Sequence, residues 1–197
     1  MSKVCHLIGN GDSSRLYKPS KGIIMTCNLP PFPVANAYAT AIVDFKLMRA
    51  IQDGSVGVPG PWVLGFRPKL HMQKNPSMYI KYAPMIRQFY TKLPKYVPDY
   101  TKLSCGHMAC HFLSTKFRPD TVHMYGFDSI FNFDLGSASD LFLESSRDDQ
   151  NNARLTRDWR GIWPNMFKEF PSTEFVLHGP HMDVKIPKPE NLTITTK

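Results

Sequence analysis

The sequence predicts an α/β fold, a single domain with a mostly parallel sheet flanked by helices, and three observations predict it. Short apolar runs at residues 4–8, 22–27 and 39–43 each stop at a glycine or a polar residue, the pattern of strands buried on both faces. Runs of helical period at residues 106–117 and 159–170 precede further short apolar runs, which suits strands joined by helical crossovers. A chain of 197 residues, 42% hydrophobic and 20% charged, is long and apolar enough for one core.

Taken in order, residues 4–8 form a first strand that runs straight into Gly9-Asn10-Gly11-Asp12-Ser13-Ser14. Residues 22–27 and 39–43 form the next two and end at Asn28 and Asp44. Asp44 then caps a helix over residues 45–53, which Gly54 terminates. Trp62-Val63-Leu64-Gly65 is a fourth strand. Residues 66–100 carry five prolines among tyrosines and lysines and read as a surface excursion able to cover a ligand, with one helix from Pro84 to about Lys92. The helix over 106–117 is stopped by Arg118-Pro119-Asp120, and the strand 121–125 is closed by Gly126-Phe127-Asp128. Residues 132–157 are polar and read as a loop or lid. In the helix over 159–170, Trp159, Trp163, Phe167 and Phe170 keep a spacing that favours core packing over base stacking. Residues 173–177 make the last strand. The domain is therefore 1–186, with 187–197 a loosely ordered tail.

In open α/β sheets ligands sit beyond the carboxyl ends of the strands, so Asn10, Asn28 and Asp44 converge on one crevice if their strands are neighbours. The turn supplies a reason to expect a phosphate there. Gly9 and Gly11 lie where a strand gives way to a helix, so bare N–H groups and the hydroxyls of Ser13 and Ser14 can reach an anion. The expected ligand is a nucleotide or the nucleotide half of an activated sugar.

A net charge of +8 agrees with an anionic partner and leaves nucleic acid as a further one, although the lysines are scattered rather than clustered. The N-terminal apolar run meets glycine too early for a signal peptide and no stretch approaches a membrane span, so a cytoplasmic protein is expected. Cys5, Cys27, Cys105 and Cys110 read as buried thiols. Cys105, His107, Cys110 and His111 lack zinc-type spacing, so neither a metal nor a cofactor is expected. His178 and His181 follow the last expected strand on the ligand side, where an imidazole can act as acid or base.

Four motifs in order carry a resemblance: Gly9-Asn10-Gly11 in the first turn, Cys27-Asn28, Ser104-Cys105-Gly106, and Gly126-Phe127-Asp128. Together they resemble the framework of the bacterial lipooligosaccharide sialyltransferases over roughly residues 3–177, as a short, phage-type relative. The resemblance implies a Rossmann-like nucleotide-sugar fold that transfers a sugar to an acceptor hydroxyl. It makes Asn10 and Ser13 or Ser14 contacts to phosphate and ribose, and Asn28 a contact on the nucleotide side. Asp44 stands where the family has asparagine, Ser104 and Gly106 face the nucleotide, and Asp128 lines the crevice. Two departures stand out. Asp12 replaces a proline, and residues 145–157 contain no histidine where the family has its base. The candidates for that role are Asp148 and Asp149 in the polar loop, and His178. The alternatives are a pocket of the same fold without transferase chemistry, and a nucleic-acid-directed protein.

Overall fold

The computed structural model describes residues 2–131 and 149–196, with the side chains of residues 149–156 left aside. Its strands are β1 (Val4–Ile8), β2 (Ile23–Cys27), β3 (Ala39–Ile42), β4 (Trp62–Leu64), β5 (Ile86–Phe89), β6 (Thr121–Tyr125), β7 (Glu174–His178) and β8 (Leu192–Thr195). The helices are α1 (Phe45–Asp53), α2 (Phe66–Lys74), α3 (Pro76–Tyr82), α4 (Cys105–Phe117) and α5 (Asp149–Glu169). All strands pair in parallel, in the order β5-β4-β3-β2-β1-β6-β7-β8. The fold is α/β and Rossmann-like, and every strand ends on the same edge. The order reverses between β1 and β6, where such sheets open a crevice.

The period of two along each strand sorts its side chains between two apolar layers. Cys5, Leu7, Met25, Cys27, Ala39, Ala41, Val122, Met124, Phe175 and Leu177 meet the buried sides of α4 and α5. Small alanine and cysteine side chains beneath α4 let that helix lie close to the sheet. On the other face Ile42, Trp62 and Leu64 pack on Leu47, Met48 and Ile51 of α1 and on Met72 of α2. All four cysteines are buried free thiols, and burial pushes Cys5 up to about 12, so it stays protonated.

Three segments differ from the sequence reading. Residues 149–157, expected as part of a polar loop, are the first turns of α5, since adding residues to a helix already packed at 159–169 costs little. The helix expected from Pro84 is a single 3₁₀ turn, Ala83–Met85, followed by β5. Pairing decides it, because Trp62, Val63 and Leu64 meet Ile86, Gln88 and Phe89, and Tyr90 N–H donates to Leu64 O at 2.8 Å. The first part of that excursion is regular, forming α2 and α3, while residues 90–100 are turns and irregular chain. The tail expected to be loose is also ordered. Leu192 and Ile194 are buried in the main core as β8 adds to β7, so the strand 173–177 is not the last. Within it, the Asn191 amide donates to the carbonyls of Phe167, Phe170 and Thr173 at 2.9, 3.1 and 3.0 Å. It satisfies the open carbonyls at the end of α5. Asn191→Ala is expected to lower stability by about 1–3 kcal/mol, and Asn191→Asp by more because a carboxylate would face three carbonyls. Urea denaturation checks the order of the two.

Candidate functional site

The carboxyl edge brings the expected residues together. Asn10 follows β1, Asn28 follows β2 and Asp44 follows β3, on neighbouring strands, while Asp128 follows β6 and Ser104 precedes α4. Asp44 caps α1, its Oδ1 accepting from Lys46 N–H at 2.8 Å. Asn28 adopts φ +49° and its N–H donates to Ala41 O at 2.8 Å. Its Oδ1 is shielded from solvent and accepts no hydrogen bond among the described residues. The Asn10 side-chain amide donates to Leu29 O and ties the β1 and β2 turns together.

The glycine turn is built otherwise than its sequence suggests. Gly9 N–H donates to Tyr125 O at 2.7 Å and Gly11 N–H to Gly126 O at 3.0 Å. Ser13 N–H donates to Asp128 Oδ2 at 3.0 Å, and the Ser13 hydroxyl donates to Asp128 Oδ1. Gly126 N–H in turn donates to Ser13 Oγ at 3.1 Å. Ser13 and Ser14 are buried. The donors of Gly9, Gly11 and Ser13 predicted to meet a phosphate are thus spent on the β6 turn, Ser14 N–H donates to Gly11 O at 3.0 Å, and the Asp128 carboxylate occupies the start of the 3₁₀ turn Asp12–Leu16, where an anion would sit. Ser104 and Gly106 are likewise committed. Ser104 forms a capping box with His107, and a Cβ at Gly106 would lie 2.5 Å from the Phe127 ring.

The chemistry of the edge rests on residues that the sequence reading passed over. A cleft of about 240 Å³, counting space open to solvent, lies beyond β3, β4 and β5, and its walls include Val43, Gly65, Phe66, Arg67, Tyr100 and Met108. The Phe66 and Tyr100 rings stack at 4.1 Å. The Arg67 guanidinium stands over the Phe45 ring at 4.7 Å, with Arg49 over the same ring at 5.1 Å. Among the described residues no carboxylate forms an ion pair with the half-buried Arg67, which borders the cleft. Tyr90 also lines it, and its hydroxyl meets His111 Nδ1 at 2.6 Å while His111 Nε2 meets Glu169 at 3.1 Å. Burial raises the Tyr90 phenol above its ordinary value, so it stands neutral. An arginine after a proline-rich boundary has no sequence signal of its own; only the meeting of strand ends selects it.

The catalytic candidates fall elsewhere. Asp148 lies outside the described residues, and Asp149 begins α5 with its side chain outside them too. His178 ends β7, two strands from β1, with Nε2 3.0 Å from His123 Nδ1 and its ring stacked on Tyr125 at 4.1 Å. His181 packs edge-on to Phe131 at 5.3 Å. No helix among the described residues is long and apolar enough to cross a membrane. Compared with family models, with curated proteins and with solved structures, the chain matches none of them.

Proposed function

We propose that this chain binds a nucleotide or nucleotide-sugar at the carboxyl edge of its sheet, as a glycosyltransferase-type domain that delivers the sugar to an acceptor hydroxyl. The observation that carries the reading is Arg67, in no ion pair among the described residues, at a cleft bordered by Phe66 and Tyr100. A guanidinium offers five fixed donors to a phosphate or carboxylate, and the mutually stacked Phe66 and Tyr100 rings give it an apolar border. The cleft is shallow and largely open to solvent, far from enclosing a whole ligand, so it suits surface contact with one anionic group of a longer ligand. Asn28 Oδ1 and Asp44 lie on the adjoining strand ends for the remainder. The four ordered motifs shared with the sialyltransferase framework support the same assignment.

A second reading, binding without transfer, is favoured by the cleft's composition. Among its described lining residues there is neither a carboxylate nor an imidazole to deprotonate an acceptor. One experiment separates the readings. Thermal shift and calorimetry across nucleoside mono- and diphosphates and nucleotide-sugars should find a stabilising ligand, and Arg67→Ala should weaken it at least about tenfold, the scale of one charge-assisted hydrogen bond. Nucleotide release on adding acceptors marks transfer. Binding with no release marks the second reading, and no binding across the panel overturns both.

A further inference from the structure

A different part of the sheet brings two histidines together. On β6 and β7 the residues between the buried positions, Thr121, His123, Glu174, Val176 and His178, are half-buried or exposed. Their neighbours Val122, Met124, Phe175 and Leu177 are fully buried in the core under α4 and α5. Because Tyr125 pairs with His178 in register, His123 lies diagonally across from His178 on the open face. There His123 Nδ1 and His178 Nε2 point at each other across 3.0 Å.

We propose that His123 and His178 together bind a divalent transition cation of the zinc, nickel or copper class. Two imidazole nitrogens on one tetrahedral ion, with bonds of 2.0–2.1 Å, stand about 3.3 Å apart. The observed spacing is within a few tenths of an ångström of that value, which small side-chain rotations supply. Both rings are braced in place. His6 stacks on His123 with centroids 5.2 Å apart and planes 11° from parallel, and Tyr125 stacks on His178 at 4.1 Å and 17°. Bracing of ligand rings in this way preorganises a site. His6 itself is not a ligand, since its plane parallels that of His123 and its Nε2 faces Lys21 O at 3.3 Å.

The chemistry selects the cation. Neutral imidazole suits zinc, nickel and copper, whereas magnesium and calcium prefer oxygen. The proton now shared by the pair sits on one imidazole, and a tautomer change moves it to that ring's other nitrogen, freeing both facing lone pairs for the metal. Glu174 on the same face adds negative potential, while its Oε1 accepts from the Thr193 hydroxyl at 2.9 Å. Among the described residues no three His, Cys, Asp or Glu side chains form a metal-holding group. Among the described residues the two histidines are the protein ligands, and water or an exogenous ligand can fill the remaining positions.

Calorimetric titration of the intact chain with Zn²⁺ and Ni²⁺ at pH 7.5 tests this, with Mg²⁺ as the cation that should not bind. His123→Asn and His178→Asn should each weaken Zn²⁺ binding at least about tenfold, while His71→Asn, on α2, should leave it unchanged. A measurement free of any folding defect accompanies the variants: histidine ring resonances of the unaltered protein, followed by NMR during titration, should move first for His123 and His178. Unchanged Zn²⁺ affinity in both variants, or first shifts at other histidines, overturns the proposal.

Discussion

Gly9→Val is expected to abolish stable folding rather than ligand binding alone. A Cβ at Gly9 would lie 2.6 Å from Gly126 O and 3.1 Å from Gly126 C, backbone against backbone, with no side chain able to yield. Gly126→Ala meets the same wall from the other side. Its Cβ would lie 2.9 Å from Gly9 C, and its φ of +77° disfavours any L side chain. Each change should cost about 3 kcal/mol or more, a large fraction of a domain's net stability. Gly11→Val belongs to the same set, because its Cβ would fall 2.6 Å from Asp128 Oδ2. Gly161→Ala is the control: nothing lies within 4 Å of that Cβ on α5, and the change should stabilise by about 0.5–1 kcal/mol through helix propensity. Denaturant midpoints measure all four. A folded Gly9→Val or Gly11→Val protein that has merely lost nucleotide affinity would restore the phosphate role of this turn and remove the clasp described above.

Acid should destabilise the domain steeply, and His107 is the main reason. It is buried at the N-terminus of α4, its ring 4.3 Å from that of Trp163, and its Nδ1 lies 3.3 Å from Ser104 N–H and 2.8 Å from Ser104 Oγ. Burial holds it down to about 3, and burial with the charges of His6 and His178 holds His123 down to about 4. Both therefore fold neutral. The unfolded histidine takes up its proton near pH 6.5, so below that value the unfolded chain binds more protons and stability falls as pH falls. The contribution is intact above about pH 6.5 and is lost progressively toward pH 4 for His123 and pH 3 for His107. At about 1.4 kcal/mol per pH unit, His107 alone accounts for about 2–3 kcal/mol by pH 4.5; the half-exposed His123 adds less because solvent screens it. His107→Gln keeps an acceptor at the third position of the capping box without a titrating ring. Its stability should fall less between pH 6.5 and 4.5. An identical slope in that variant would exclude His107 as the source.

Much of this fold was legible because strand and helix signals are local. The buried runs at β1, β2 and β3, the Asp44 cap and the stop at Arg118-Pro119 depend on neighbours within a few residues, and they stand where the sequence put them. β5 and β8 were not legible. Ile86–Phe89 is extended because β4 offers it an edge, and Leu192–Thr195 is buried because β7 does. The same division runs through the site. Asn10, Asn28 and Asp44 were placed on one edge by a rule about strand ends, whereas Arg67 and the stacked Phe66 and Tyr100 emerge only when β3, β4 and β5 lie side by side.

By itself the sequence determined the fold class, the positions of most strands, and which polar residues stand at their carboxyl ends, since hydrophobic period and capping act over a few residues. The tertiary structure alone decided what those residues touch. Ser13 finds Asp128 across 115 positions of sequence, and His123 finds His178 across 55. Such meetings follow from the order of strands in the sheet, which is set by packing the two apolar layers together and is written in no local spacing.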